Sequence, residues 1–592
     1  MELLLEFDQE YYEPDDDRRR RSSFGMSSSR EEETIEQLIV EYTQTPSNSA
    51  LEGLRAIATS GDEDASAVLV IKLLEHMGGE AAIAGAREEN EESEEEDKVM
   101  DVPSARCDAR VVILGAKILE VMPATKYGPS HRGVLLRGIS HVLNSYMGNC
   151  QTVWEADGLE ALLSVLNRLL KTNKDGKGDG DIKLAAECVR RVAAFATSTL
   201  EFTSWLRYAA DNEPSAKSFL LDQLNMTLQL RFSRGPSDIF LLDGESSGIL
   251  GSAQPKWPFS EGLGFVTWVY LESVSASEST TASAASYAAA ASASQVVDAS
   301  PLTAAAVAAA AAGDSEVHMP RLFSFLSAEG QGVECYFHEE FLILETNGLK
   351  ESRLTIPFSY KFPLKRWFCL GIEHKPATVR TGAAETRLYV NGALVETHNF
   401  DLPKISRPLG FCCVGTNPPA AMAGMQRKRR QCALFASLGP VYIFKQALGG
   451  NAMKALASRG GSYVPRFPSV DEKNPTNPES LADLDENLVL DRVLASTVLQ
   501  VLHPRMASKN SVVDISPHGM AVESKAALLG GTSHARRTLL RDSIWAAASG
   551  GPAVVLPLAC PLVGSKHLQP ETSQIYEDFA SAGSSIRSVI GI

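Results

Sequence analysis

Paired cysteines are what this sequence most clearly lacks. Nine are scattered through 592 residues, singly except for the neighbours Cys412 and Cys413, and no C-x-x-C or Cys/His ligand spacing occurs. That excludes a zinc site of the usual spacing and a disulfide framework. Long apolar runs are missing too. The longest is the alanine tract around Ala304 to Ala312, far short of the roughly 20 residues that cross a bilayer. The opening MELLLEFDQEYYEPDDDRRRR carries acid where a secretory signal carries basic residues and a longer apolar core. The chain reads as cytoplasmic. Positive charge is in deficit, with 56 Lys and Arg against 73 Asp and Glu for a net charge of −17. Such a balance argues against direct nucleic-acid binding and leaves room only for local basic patches.

What is present divides the chain. At about 150 residues per domain, its length implies roughly three to five units. Residues 1–30 read as a disordered leader. From 31 to 235, segments such as ASAVLVIKLLEHMG and LEALLSVLNRLLKT repeat apolar residues at three and four spacing, the mark of amphipathic helices. They recur in pairs about every 40 residues, as in an armadillo-like solenoid. The acidic run EENEESEEED sits in an interrupting loop, 86–104, that is too charged to pack. Residues 236–465 change period to short runs rich in Val, Phe, Tyr and Trp, which predicts an antiparallel sandwich or barrel. An Ala/Ser-rich insertion at 273–316 has too few large apolar groups for a core. A linker at 466–480 precedes a second helical, armadillo-like region over 481–592, with segments such as LADLDENLVLDRVLASTVLQVLHP and RRTLLRDSIWAAASGG. The fold class expected is therefore multidomain α + β.

One hairpin is legible residue by residue. RLYVNGALVETHNF places Asn391-Gly392 between alternating runs, the strongest short signal for a two-residue turn. Simple register pairs Leu388 with Val395 and Arg387 with Glu396, putting Leu388, Val390 and Val395 on the core face.

Catalytic patterns do not survive inspection, and no enzyme is expected. Gly244-Glu245-Ser246-Ser247-Gly248 matches G-x-S-x-G, but its surroundings are a polar, glycine-rich loop and not the strand-turn-helix of a nucleophile elbow. FHEEF has one histidine where a zinc protease needs two, and the β segment lacks the paired carboxylates of a glycosidase. No catalytic, cofactor or metal residue is assigned. Cys412, Cys413, Trp268 and Trp367 read as packing residues. The candidate contact is MQRKRRQ, where Arg427, Lys428, Arg429 and Arg430 stand together between strands. Four adjacent cations are tolerated where solvent or an anionic partner compensates them.

The runs PRLFSFLSAEGQGVECYFH, RWFCLGIEH, RLYVNGALVE, FCCVGTNPPAAMAGMQRKRRQCALFASLGPVYIFK and ALASRGGSYVP closely resemble the concanavalin A-like lectin segment of BEACH-domain scaffold proteins. These are the neurobeachin-like family, and the plant Spirrig type matches best because it also carries an Ala/Ser insertion after TWVYLES. The resemblance implies a concanavalin A-like sandwich flanked by armadillo-like helices. It also implies a cytosolic scaffold at endosomal and vesicle membranes, and in the plant type at mRNA-decapping bodies. Partners would be trafficking or decapping proteins, with peripheral contact to anionic membrane. No segment resembles a BEACH domain, its pleckstrin-like companion or WD repeats, so a fragment of a longer protein is expected. A glycan-binding lectin is the alternative and a cryptic hydrolase the third reading. Glycan binding is not favoured, because the metal cluster of legume lectins and the H-x-N-x-R run of galectins are missing.

Overall fold

The computed structural model describes residues 21–87, 106–123, 130–172, 179–230, 235–254, 261–274, 319–348, 353–377, 382–402, 405, 407–418, 431–467 and 486–546. They belong to two compact units, Met1–Ser233 with Arg537–Ile592, and Arg234–Arg536. The acidic run, most of the Ala/Ser insertion, most of the linker and the basic tetrad lie outside the described residues.

Three-and-four spacing gives the first unit its helices: α1 (Arg21–Gln44), α2 (Asn48–Thr59), α3 (Glu63–Arg87), α4 (Ala109–Leu119) and α5 (His131–Ser145). A short α6 (Met147–Glu155) leads to α7 (Gly158–Thr172), α8 (Asp179–Phe195), α9 (Thr199–Asp211) and α10 (Pro214–Gln229). Their starts are chemically marked. Ser47 and Ser130 each accept a hydrogen bond from a first-turn N–H, and Ser198 with Glu201 completes a reciprocal capping box, satisfying N–H groups that a helix start leaves orphaned. Packing sorts the helices into two rows, α3, α5, α8 and α10 in one and α2, α4, α7 and α9 in the other. Polar bridges tie neighbours within each row. Glu187 accepts from Ser140 at 2.9 Å across α5 and α8, and Tyr208 donates to Glu160 at 3.0 Å across α9 and α7. α1 begins at Arg21, inside the segment expected to be a disordered leader. Once nucleated, a helix gains one hydrogen bond for each residue it adds.

The strand pairs of the second unit are antiparallel, with two isolated parallel bridges at Glu261–Gln446 and Leu271–Leu364. Its strands are β1 (Asp238–Asp243), β2 (Gly248–Gly251), β3 (Leu263–Ser273), β4 (Arg321–Ser327), β5 (Gly332–His338), β6 (Phe341–Asn347), β7 (Arg353–Lys361) and β8 (Trp367–Lys375). β9 (Glu385–Val390), β10 (Ala393–Asn399), β11 (Leu409–Val414) and β12 (Phe435–Phe444) follow. After α11 (Gly450–Arg459) and α12 (Glu486–Thr497) come β13 (Val498–Ala507), β14 (Ser511–Asp514), the short α13 (Pro517–Ala521), β15 (Lys525–Leu529) and β16 (Ser533–Arg536). The pairing path runs β10-β9-β8-β3-β12-β13-β14-β15-β2-β11-β4-β5-β6-β7, with β1 on β12 and β16. The sheet folds over one large core, with a small second cluster of Met319, Tyr336 and Ile343. Phe265 of β3 and Phe323 of β4 are not on paired strands, yet their ring centroids lie 4.7 Å apart.

Residues 498–536 correct the helical expectation for 481–592. Only α12, α13 and α14 (Leu540–Trp545) are helical there among the described residues, while four strands complete the sheet. Thr497 and Val498 are β-branched, Pro504 cannot donate a helical hydrogen bond, and Gly530-Gly531 makes the β15–β16 turn. Each opposes a continuous helix. α14 packs with the helical unit, where Ser543 donates to Thr197 O at 2.5 Å.

The hairpin turn is as the sequence requires, with Asn391 at φ 50° and Gly392 at φ 80°. Its register is not. A bulge between Leu394 and Glu396 pairs Leu388 with Glu396, so Val395 turns outward while Leu388 and Val390 stay buried. The bulge also aims Glu396 across the gap where the two ends of the sheet meet. Its carboxylate accepts from Ser359 N at 3.1 Å, Ser359 Oγ at 2.9 Å and Tyr360 N at 2.8 Å. These bonds, with His398, outweigh the cost of burial and hold the carboxyl below its usual range. A depressed pKa contributes stability that is complete above the ordinary glutamate value and lost as pH falls through the folded one. Glu396→Ala is expected to cost about 2 kcal/mol at neutral pH and much less once Glu396 is protonated. Urea melts of parent and variant along a pH series check this, and a pH-independent difference rejects the carboxylate bridge.

Candidate partner-binding surfaces

The ends of the connection carrying Arg427, Lys428, Arg429 and Arg430 are fixed, although the tetrad itself lies outside the described residues. Asn417 Oδ1 accepts from Cys432 N at 2.6 Å, Gln431 Nε2 donates to Thr416 Oγ1 at 3.2 Å, and Leu434 N donates to Gly415 O at 2.8 Å.

Beside the base, Cys432 O accepts from Arg321 N at 3.1 Å. Arg321 opens a polar cluster on the face of β4–β6 opposite the core. Its Nε lies 3.4 Å from Glu334 Oε1, and its guanidinium stacks 4.3 Å from the Tyr336 ring centroid. Ser324 donates to Glu334 at 2.8 Å and Tyr336 to Glu345 at 3.1 Å. Both carboxylates are buried. Burial and the Glu345 charge push the Tyr336 phenol far above its ordinary range.

A second cluster lies on β8 and β9. Glu373, with no exposed surface, accepts from Arg387 Nη1 at 3.2 Å, Tyr389 OH at 2.8 Å and Gly449 N at 2.9 Å. Arg387 also bonds Glu385 at 2.5 Å. The expected Arg387–Glu396 pair is therefore not made, because the bulge diverts Glu396 to β7. Gly449 immediately precedes α11, so Glu373 anchors that helix on the sheet. Glycine is required beneath it, since a Cβ at Gly392 would come within 2.8 Å of Lys454 Cα. The sequence signal for both clusters was a lone glutamate in each of the apolar runs GVECYFH and LGIEHK.

The G-x-S-x-G motif forms the turn between β1 and β2. Asp243 Oδ1 accepts from the backbone N of Glu245, Ser246 and Ser247 at 2.9, 3.0 and 2.9 Å. Ser246 Oγ donates to Asp243 at 3.3 Å and accepts from Gly531 N at 3.1 Å. The serine closes a strand-to-strand turn. Cys412, Cys413, Trp268 and Trp367 are buried in strands. Among the described residues, no group of three or more His, Cys, Asp or Glu side chains could hold a metal ion. No described helix is long and apolar enough to cross a membrane.

The architecture is thus that of a multidomain α + β protein, a two-row helical unit and a large antiparallel sheet wrapped on a main core. The chain is similar in sequence to BEACH domain-containing proteins. It is 24% identical over 355 residues to BEACH domain-containing protein B of Arabidopsis thaliana, covering 59% of this chain and 12% of that protein. It is 33% identical over 100 residues to BEACH domain-containing protein lvsE of Dictyostelium discoideum, covering 17% and 4%. The chain thus spans about an eighth or less of the matched relatives. No protein-family model matches. Among solved structures, a SAP-like pentraxin from Limulus polyphemus is 11% identical with a TM-score of 0.24, covering 39% of this chain and 85% of that one. A botulinum neurotoxin type G receptor-binding domain gives 11% and 0.21, covering 34% and 38%. Both scores are too low to carry an argument.

Proposed function

We propose that this chain is a non-enzymatic scaffold segment of the BEACH-protein type, cytoplasmic and peripheral on endosomal membranes. It holds trafficking proteins, and in the plant type decapping proteins, through protein–protein contacts. In this reading the helical unit is an armadillo-like stack that presents long side surfaces, and the sheet unit is a concanavalin A-like sandwich. The observation that carries the proposal is the 355-residue similarity to a BEACH domain-containing protein. The tetrad Arg427 to Arg430 supplies an anionic-partner contact, to an acidic protein face or an anionic membrane.

A sandwich fold does not by itself imply sugar binding. The expected result on a glycan array is no saturable binding by the full chain, together with no turnover of ester or glycoside substrates. Affinity capture from cytosol should instead recover vesicle-trafficking or decapping proteins. Saturable recognition of one glycan class would replace the scaffold reading with a lectin.

A further inference from the structure

The strands that the helical expectation missed carry exposed apolar side chains beside exposed cations. β13, β14 and β15 form its frame, with Ala507 opposite Val512 and Val513 opposite Lys525. On or beside this frame Met506 is 38% exposed, and Met520 and Val522 are each 58% exposed. The register break in β13 between Leu502 and Ala507 leaves the adjacent Arg505 and Met506 both in solvent. Met520 and Val522 are close to Lys525 along the chain, since Ser524 O accepts from Asp514 N and Ser524 N donates to Gly519 O. Arg505, Lys509 and Lys525 are exposed, and Glu523 is the one exposed carboxylate from Pro504 to Ala527. In a chain of net charge −17, this is a local excess of cations interleaved with exposed apolar side chains.

We propose that this face is a peripheral membrane contact for anionic lipid, with Met506, Met520 and Val522 entering the interface and Arg505, Lys509 and Lys525 meeting headgroup phosphates. Charge complementarity selects the occupant. An acidic chain is repelled by an anionic bilayer everywhere except where cations lead, and interfacial binding adds apolar burial to that attraction. The proposal rests on the membrane arm of the scaffold reading. It supplies the second contact that four cations alone require for lasting attachment.

The test uses the full chain with phosphatidylcholine vesicles, with and without phosphatidylserine. Met520→Trp is expected to show a blue-shifted emission, quenched by brominated acyl chains, with phosphatidylserine vesicles only. Replacing Met506, Met520 and Val522 together by Ser should weaken sedimentation with those vesicles about tenfold. Each of Arg505→Gln, Lys509→Gln and Lys525→Gln should weaken it about fivefold. An unshifted Trp emission, or undiminished sedimentation of the triple variant, overturns the proposal. So does a Trp shift produced by soluble polyglutamate and not by lipid, which would assign the face to an acidic polypeptide. Should the parent fail to bind any anionic vesicle, the membrane arm of the proposed function falls as well. If the parent binds and the variants bind equally, only this face is excluded.

Discussion

Leu388→Asp is expected to destabilise the sheet unit by at least about 3 kcal/mol, whereas Val395→Asp should change it by no more than about 0.5 kcal/mol. Simple alternation places both residues on one face, opposite each other. The bulge at Leu394/Glu396 separates them, leaving Leu388 fully buried and Val395 37% exposed. An aspartate at 388 would be buried opposite Ile372 on the neighbouring strand and two residues from Val390, both core residues, and either its charge or its protonation would cost stability there. Arg387→Ala should fall between, at about 2 kcal/mol, because Glu373 loses its cation but keeps Tyr389 and Gly449 N. Urea melts of the full chain, with hydrogen–deuterium exchange reading the two units separately, rank the three. Equal costs at 388 and 395 would reject the bulged register.

That contrast marks where the sequence was legible. Turn chemistry at Asn391-Gly392 and alternation in β3 to β12 are local properties, so they could be read directly. The helices were legible for the same reason, since a 3.6-residue period needs no knowledge of the partner. The bulge was not legible, because the reason for it lies on β7. Ser359 and Tyr360 offer edge N–H groups that Glu396 satisfies from 37 and 36 residues away in sequence. β13 to β16 failed differently. Leu494 to Leu502 carries enough Leu and Val to fit either period, and pairing with β12, β14 and β1 decides the outcome. Burial of Glu334 and Glu373 was equally hidden, because a glutamate in a strand reads as solvent-facing until its Arg and Tyr partners are in place. The candidate tetrad was visible as composition, and the structure adds only its fixed base at Asn417 and Cys432.

The largest functional effect is expected from reversing that tetrad, with Arg427, Lys428, Arg429 and Arg430 all changed to Glu. The base at Gln431 and Cys432 is held by hydrogen bonds that involve none of the four side chains, so the variant should fold as the parent does. Near an anionic membrane each cation is worth about 1 kcal/mol, and removing four should weaken vesicle sedimentation by at least about a hundredfold at low salt. Parent binding should itself fall as salt rises, because exposed charges are screened over about 8 Å at physiological ionic strength. An acidic protein partner would give the same loss in pulldown, and the arm with vesicles alone separates the two. Arginine forks make bidentate contacts to phosphate or carboxylate that lysine cannot. Exchanging the three arginines for lysine should therefore keep the charge but lose part of the affinity where a specific partner is bound, and lose little where the field of a bilayer is all that matters. Full retention of every interaction by the four-Glu variant, at low and at physiological salt, would leave the tetrad a solvated loop with no part in binding.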